Sequence, residues 1–183
     1  DTSAAQTFTI QLTGLNKTPS FTKGANPVVN EDAAAQTIVA WAKSTSAGTG
    51  ETGQTVTFTV TNNNNALFSQ QPDITPNGHL TFTPPANAFG TATVTVQLKD
   101  NGGTTGGGVD TFTTTFTITI NAINDAPVLT AGSLPTINID EDSPTTTAVP
   151  LGLNGVTYSP GPTNEASQTL TYKITAIPTF LKL

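Results

Sequence analysis

Apolar and polar residues alternate along much of this chain. Thr55-Val56-Thr57-Phe58-Thr59-Val60 does so, as do Thr91-Ala92-Thr93-Val94-Thr95-Val96-Gln97-Leu98 and Phe116-Thr117-Ile118-Thr119-Ile120. Successive side chains of a strand point to opposite faces, so each run predicts a β-strand with one buried face and one open face. β-Branched threonine suits the open face. Turn-forming clusters separate the runs: residues 62–65, Pro76-Asn77-Gly78, Pro84-Pro85 and Asn101-Gly102-Gly103. Asn-Gly reaches positive φ readily, so Pro76-Asn77-Gly78 before His79-Leu80-Thr81-Phe82 predicts a tight reversal. Only residues 31–43 have a spacing compatible with a helix, and Ile38-Val39 with Trp41 fits a short strand as well. The predicted fold class is all-β. Its core is expected from Val56, Phe58, Val60, Leu80, Phe82, Val94, Val96, Leu98, Phe116, Ile118 and Ile120, held between two sheets.

The pattern also recurs. Phe8-Thr9-Ile10 returns 108 positions later as Phe116-Thr117-Ile118, with Asn16 and Pro19 in register with Asn124 and Pro127. Asn30-Glu31-Asp32 matches Asp140-Glu141-Asp142, and Glu51-Thr52-Gly53-Gln54-Thr55-Val56-Thr57-Phe58 matches Glu165-Ala166-Ser167-Gln168-Thr169-Leu170-Thr171-Tyr172. A repeat of about 110 residues is domain-sized, which points to an array of sandwiches and not to a solenoid of short units. The register divides the chain into 1–16, the last strand of a preceding repeat; 17–124, a complete repeat; and 125–183, the first half of the next. An orphan strand and half a sandwich leave open edges, so more chain or strands from another molecule are expected to complete them.

Composition narrows the classes. The 183 residues include six lysines, no arginine, twelve acidic residues and one histidine, for a formal net charge of -6. Without a basic patch, nucleic acid is not an expected partner. No apolar run approaches the roughly 20 residues that span a bilayer, and no signal-peptide pattern opens the chain. Having no methionine, it is expected to be processed or a window of a longer protein. Cysteine is absent too, which removes disulfides, thiolate metal sites and cysteine nucleophiles.

Gly78-His-Leu-Thr-Phe-Thr-Pro84, Asn87-Ala-Phe-Gly90, Val94-Thr-Val96 and Lys99-Asp100-Asn101-Gly102-Gly103 together resemble the second half of bacterial cadherin-like repeats. These are immunoglobulin-type sandwiches strung in tandem in large secreted or surface adhesins. Asn121-Ala-Ile-Asn-Asp-Ala-Pro-Val128 is similar to the segment that joins such repeats, and residues 1–10 to their final strand. The resemblance covers essentially the whole chain. It implies tandem immunoglobulin/cadherin-like β-sandwich repeats, one complete and two partial, in an extracellular or cell-surface protein.

The resemblance further implies calcium bound by acidic residues near the repeat junctions, where six to eight oxygen ligands are needed. The candidates are Glu31, Asp32, Asp100, Asn124, Asp125, Asp140, Glu141 and Asp142. Two positions depart from the family pattern: Ala122 stands where an aspartate is expected, and Lys17 at the first junction matches Asp125 at the second. Lys17 carries positive charge but cannot ligate a cation.

Other features have plainer readings. Gly102–Gly108 lacks the Gly-Lys-Ser/Thr ending of a phosphate loop and precedes a strand, so a hairpin is expected. Rows such as Thr91-x-Thr93-x-Thr95 resemble ice-binding faces, but sandwich sheets twist, and a solvated face is expected instead. With one histidine and no nucleophile elbow, no enzyme is expected. Trp41 is expected in the core; a glycan-binding module would need Trp41, Tyr158 or Tyr172 exposed. The function expected is a rod-like spacer or adhesive segment whose partners are neighbouring repeats. The alternatives are a fibre subunit whose strand 1–15 completes another copy, and a module that binds surface glycans.

Overall fold

A computed structural model describes residues 3–9, 14–138 and 150–173. The chain divides into two compact units, 1–122 and 123–183. The described residues are all-β, with eleven strands and three short 3-10 turns.

Unit 1 is built from two facing sheets. One runs in the order β2 (Val28–Asn30), β9 (Thr111–Asn121), β8 (Gly90–Asp100), β5 (Val56–Asn62). The other runs β3 (Gln36–Ile38), β7 (Leu80–Thr83), β6 (Gln70–Ile74), while β1 (Ser20–Thr22) pairs with β4 (Lys43–Ser46). All these pairings are antiparallel except β2 with β9, which is parallel. β8 and β9 run side by side from Gly90–Ile120 at one end to Lys99–Thr111 at the other.

The alternation seen in the sequence sets what each sheet buries. Val94 and Val96 of β8 and Phe116, Ile118 and Ile120 of β9 turn inward against Ile74, Leu80 and Phe82, and Leu98 of β8 is buried as well. Their threonine neighbours face out, with Thr91 opposite Thr119, Thr93 opposite Thr117 and Thr95 opposite Thr115. Val56, Phe58 and Val60 are only half-buried because β5 is an edge strand. The tight reversal at Pro76–His79 forms as expected: Gly78 has φ 78° and donates its N–H to Thr75 O at 2.8 Å. Residues 31–43 hold a short strand and a turn, not a helix. The turn brings Trp41 into the core, 2% exposed, with Nε1 donating to Ala25 O and its ring 4.3 Å from that of Phe116.

In unit 2, β10 (Val128–Ala131) pairs antiparallel with β11 (Thr157–Ser159). Residues 3–9 join no sheet and are exposed.

Candidate functional site

The polar groups that stand out are buried carboxylates at the ends of the strands. Asp100 closes β8 and is 3% exposed. Its Oδ1 accepts hydrogen bonds from Asn16 Nδ2 and from the Gly102 N–H, both at 2.9 Å. Asn16 ties the site together: its Nδ2 also reaches Val109 O at 3.1 Å, and its Oδ1 accepts from Gln54 Nε2 at 2.8 Å. Beside it, the Lys17 N–H donates to Glu51 Oε1 at 3.0 Å, and Lys17 Nζ donates to Thr49 O. Among the described residues, nothing donates a hydrogen bond to the buried oxygens Glu51 Oε2, Gln54 Oε1 and Asp100 Oδ2. An arrangement with more acceptors than donors suits a cation or water.

The turn that carries Glu51 reappears in unit 2. Glu51 N–H bonds Gly48 O and Gln54 N–H bonds Glu51 O; Glu165 N–H bonds Pro162 O and Gln168 N–H bonds Glu165 O. Lys17 N–H on Glu51 Oε1 is matched by Asp125 N–H on Glu165 Oε1, at 2.8 Å. A glycine backs each carboxylate. A Cβ on Gly48 would lie 2.0 Å from Glu51 Oε2, and one on Gly161 would lie 1.9 Å from Glu165 Oε2. These are the segments paired by the sequence repeat. In unit 2 the junction side chain is a carboxylate, Asp125, and Asn164 stands beside Glu165; in unit 1 those positions hold Lys17 and Gly50.

Within unit 1 the expected metal ligands lie at two ends of the sandwich. Glu31 is 1% exposed at the other end of unit 1, where its N–H donates to Asn121 O at 2.9 Å. Asp32 has φ 61°, and its Oδ1 accepts from Asn87 N at 2.9 Å. Eleven residues of β8 separate that end from Asp100, roughly 33 Å at the rise of a strand, so Asp100 does not join Glu31 and Asp32. Asn124 and Asp125 belong to unit 2, where Asn124 Nδ2 donates to Asp125 O at 2.9 Å. Asp140, Glu141 and Asp142 lie outside the described residues. Among the described residues, no three His, Cys, Asp or Glu side chains group as a metal site, so a cation near Asp100 would depend on amide and carbonyl oxygens as well.

Sequence reasoning overlooked Asn16, Glu51, Gln54, Asn164 and Glu165 as members of these clusters. The signal was present, since Glu51 with Gln54 and Glu165 with Gln168 keep their spacing between repeats. His79, the chain's one histidine, accepts the Ala40 N–H at Nδ1, 3.0 Å, a structural bond that ties the turn between β3 and β4 to the turn between β6 and β7. Buried Trp41 offers no sugar-stacking surface, whereas Tyr172 is exposed. No helix among the described residues is long and apolar enough to cross a membrane. Neither a protein-family model nor a curated protein matches the chain.

Proposed function

We propose that this chain is a structural and adhesive segment of an extracellular bacterial surface or filament protein, working as a rod-like spacer of tandem cadherin-like β-sandwich repeats. The observation that carries this is the placement of the two ends of unit 1. Asn16, on the way into the sandwich, bonds to Val109 and Asp100 at one end, while β9 leaves at Asn121 at the other. A domain entered and left at opposite ends adds its length, about 35 Å of strand, to an array. The matched turns around Glu51 and Glu165 support the repeat, and the parallel pairing of β2 with β9 suits an immunoglobulin-type topology.

Calcium belongs to the same proposal. Its ligands would come from Asp125, Glu165 and Asn164 in unit 2, and from Asp100 with Glu51, Gln54 and Asn16 in unit 1. A cation held only by folded ends would raise stability and stiffen the junctions. Electron microscopy of the native parent material, with and without a chelator, tests the spacer. We expect extended strings of beads that loosen on chelation; compact particles would contradict it. Exposed Phe8 favours a second reading, strand addition to another copy, for which the same images would show ordered filaments.

A further inference from the structure

Residues 55–61 read Thr-Val-Thr-Phe-Thr-Val-Thr, a palindrome centred on Phe58. Six of them lie in β5, an edge of the four-stranded sheet. Antiparallel strands run in opposite directions, so two copies of a palindromic strand meet with like residues opposed. Phe58 faces Phe58, Val56 faces Val60, and Thr57 faces Thr59. Aromatic, β-branched and threonine pairs of this kind stabilise a sheet.

The backbone groups are aimed correctly. Thr55 N–H donates to Asn101 Oδ1 at 2.9 Å, and Asn63 N–H donates to Thr93 O at 3.2 Å, both on the β8 side. With period two along the strand, the N–H groups of Thr57, Thr59 and Thr61 also face β8. Those of Val56, Phe58 and Val60 therefore face the open edge. Among the described residues, β5 pairs with β8 alone. Phe58 and Val60 stay half-buried, although their β8 partners Leu98 and Val96 are wholly buried.

The remaining edges of unit 1 are guarded. β6 contains Pro72 and Asp73; β1, β2 and β3 have three residues each and β4 has four, with Lys43 opening β4, Lys23 following β1 and Glu31-Asp32 following β2. Short length, proline and charge all discourage strand addition. β5 has seven residues with neither a charge nor a proline.

We infer that β5 is a self-association edge: two copies of the chain pair antiparallel through residues 55–61 about a two-fold axis at Phe58, joining their four-stranded sheets into one of eight strands. The contact is isologous and closes at the dimer. Strand pairing alone buries little area, so the dimer is weak and transient. This goes beyond the spacer proposal and gives the rod a lateral partner.

Sedimentation of the full chain from about 1 μM to 1 mM tests it. We expect a reversible monomer–dimer equilibrium. The double variant Thr57→Lys/Thr59→Lys sets like charges opposite each other at two symmetric places and weakens association about tenfold or more. The variant Thr57→Lys/Thr59→Glu sets opposite charges at the same places and retains association. Both side chains point to solvent, and Trp41 fluorescence with far-UV circular dichroism checks that each variant is folded. A wild-type chain monomeric throughout, a growing series beyond dimer, or equal association in all three proteins would overturn the inference. Loss of association in both folded variants would overturn the Phe58-centred register.

Discussion

Asp100 is a nearly buried carboxylate whose Oδ1 accepts hydrogen bonds from Asn16 Nδ2 and the Gly102 N–H. Withdrawing a donor from a buried charge costs more than an average hydrogen bond. Asn16→Ala is therefore expected to destabilise unit 1 by about 2–3 kcal/mol, read by urea unfolding with Trp41 fluorescence. A change under about 0.5 kcal/mol, the range of ordinary surface substitutions, would place Asp100 in contact with water instead. Gly48 makes a second demand at this scale. Its φ is 143°, and a methyl group there would collide with Glu51 Oε2. Gly48→Ala is expected to cost about 1–3 kcal/mol. Gly53, with ordinary φ and open space around it, is the matched control and should tolerate alanine.

At the scale of strands, period-two alternation was the strongest signal, and it placed Val94, Val96, Leu98, Phe116, Ile118 and Ile120 correctly in the core. It could not grade β5, because alternation looks the same on a central strand and on an edge. Leu67, Phe68 and Ile74 escaped notice for another reason. The first two sit at a 3-10 turn, and Gln70-Gln71-Pro72-Asp73-Ile74 does not alternate. The carboxylate clusters were legible only as a repeat. Glu51 and Asn16 are 35 residues apart, and nothing in their spacing announces that Gln54 bridges toward Asp100 through Asn16. The two faces of β8 should respond very differently to truncation. Leu98→Ala is expected to cost about 2–5 kcal/mol, and Thr93→Ala within about 0.5 kcal/mol. Similar losses at both positions in denaturant titrations would contradict a one-sided core.

Across the whole molecule, the two units differ in the charge at equivalent positions. Lys17 brings an ammonium to the turn of unit 1, where Asp125 brings a carboxylate in unit 2. Calcium is thus expected to protect unit 2 more than unit 1, by about 2.7 kcal/mol at a hundredfold excess over Kd. Amide hydrogen exchange with and without a chelator resolves the two: slowing confined to residues near Glu165 agrees, while uniform indifference to calcium leaves the carboxylates as structural groups.

The spacer proposal turns on whether unit 1 carries tension from Asn16 to Asn121 as one body. Stretching the full chain by its ends in a single-molecule force experiment measures this directly. Each unfolding of unit 1 should appear as one abrupt lengthening of roughly 330 Å, the extended length of the chain between those residues less the folded strand length. Smooth extension without that step, or steps far shorter, would show that the sandwich yields piecemeal and would contradict a mechanical role.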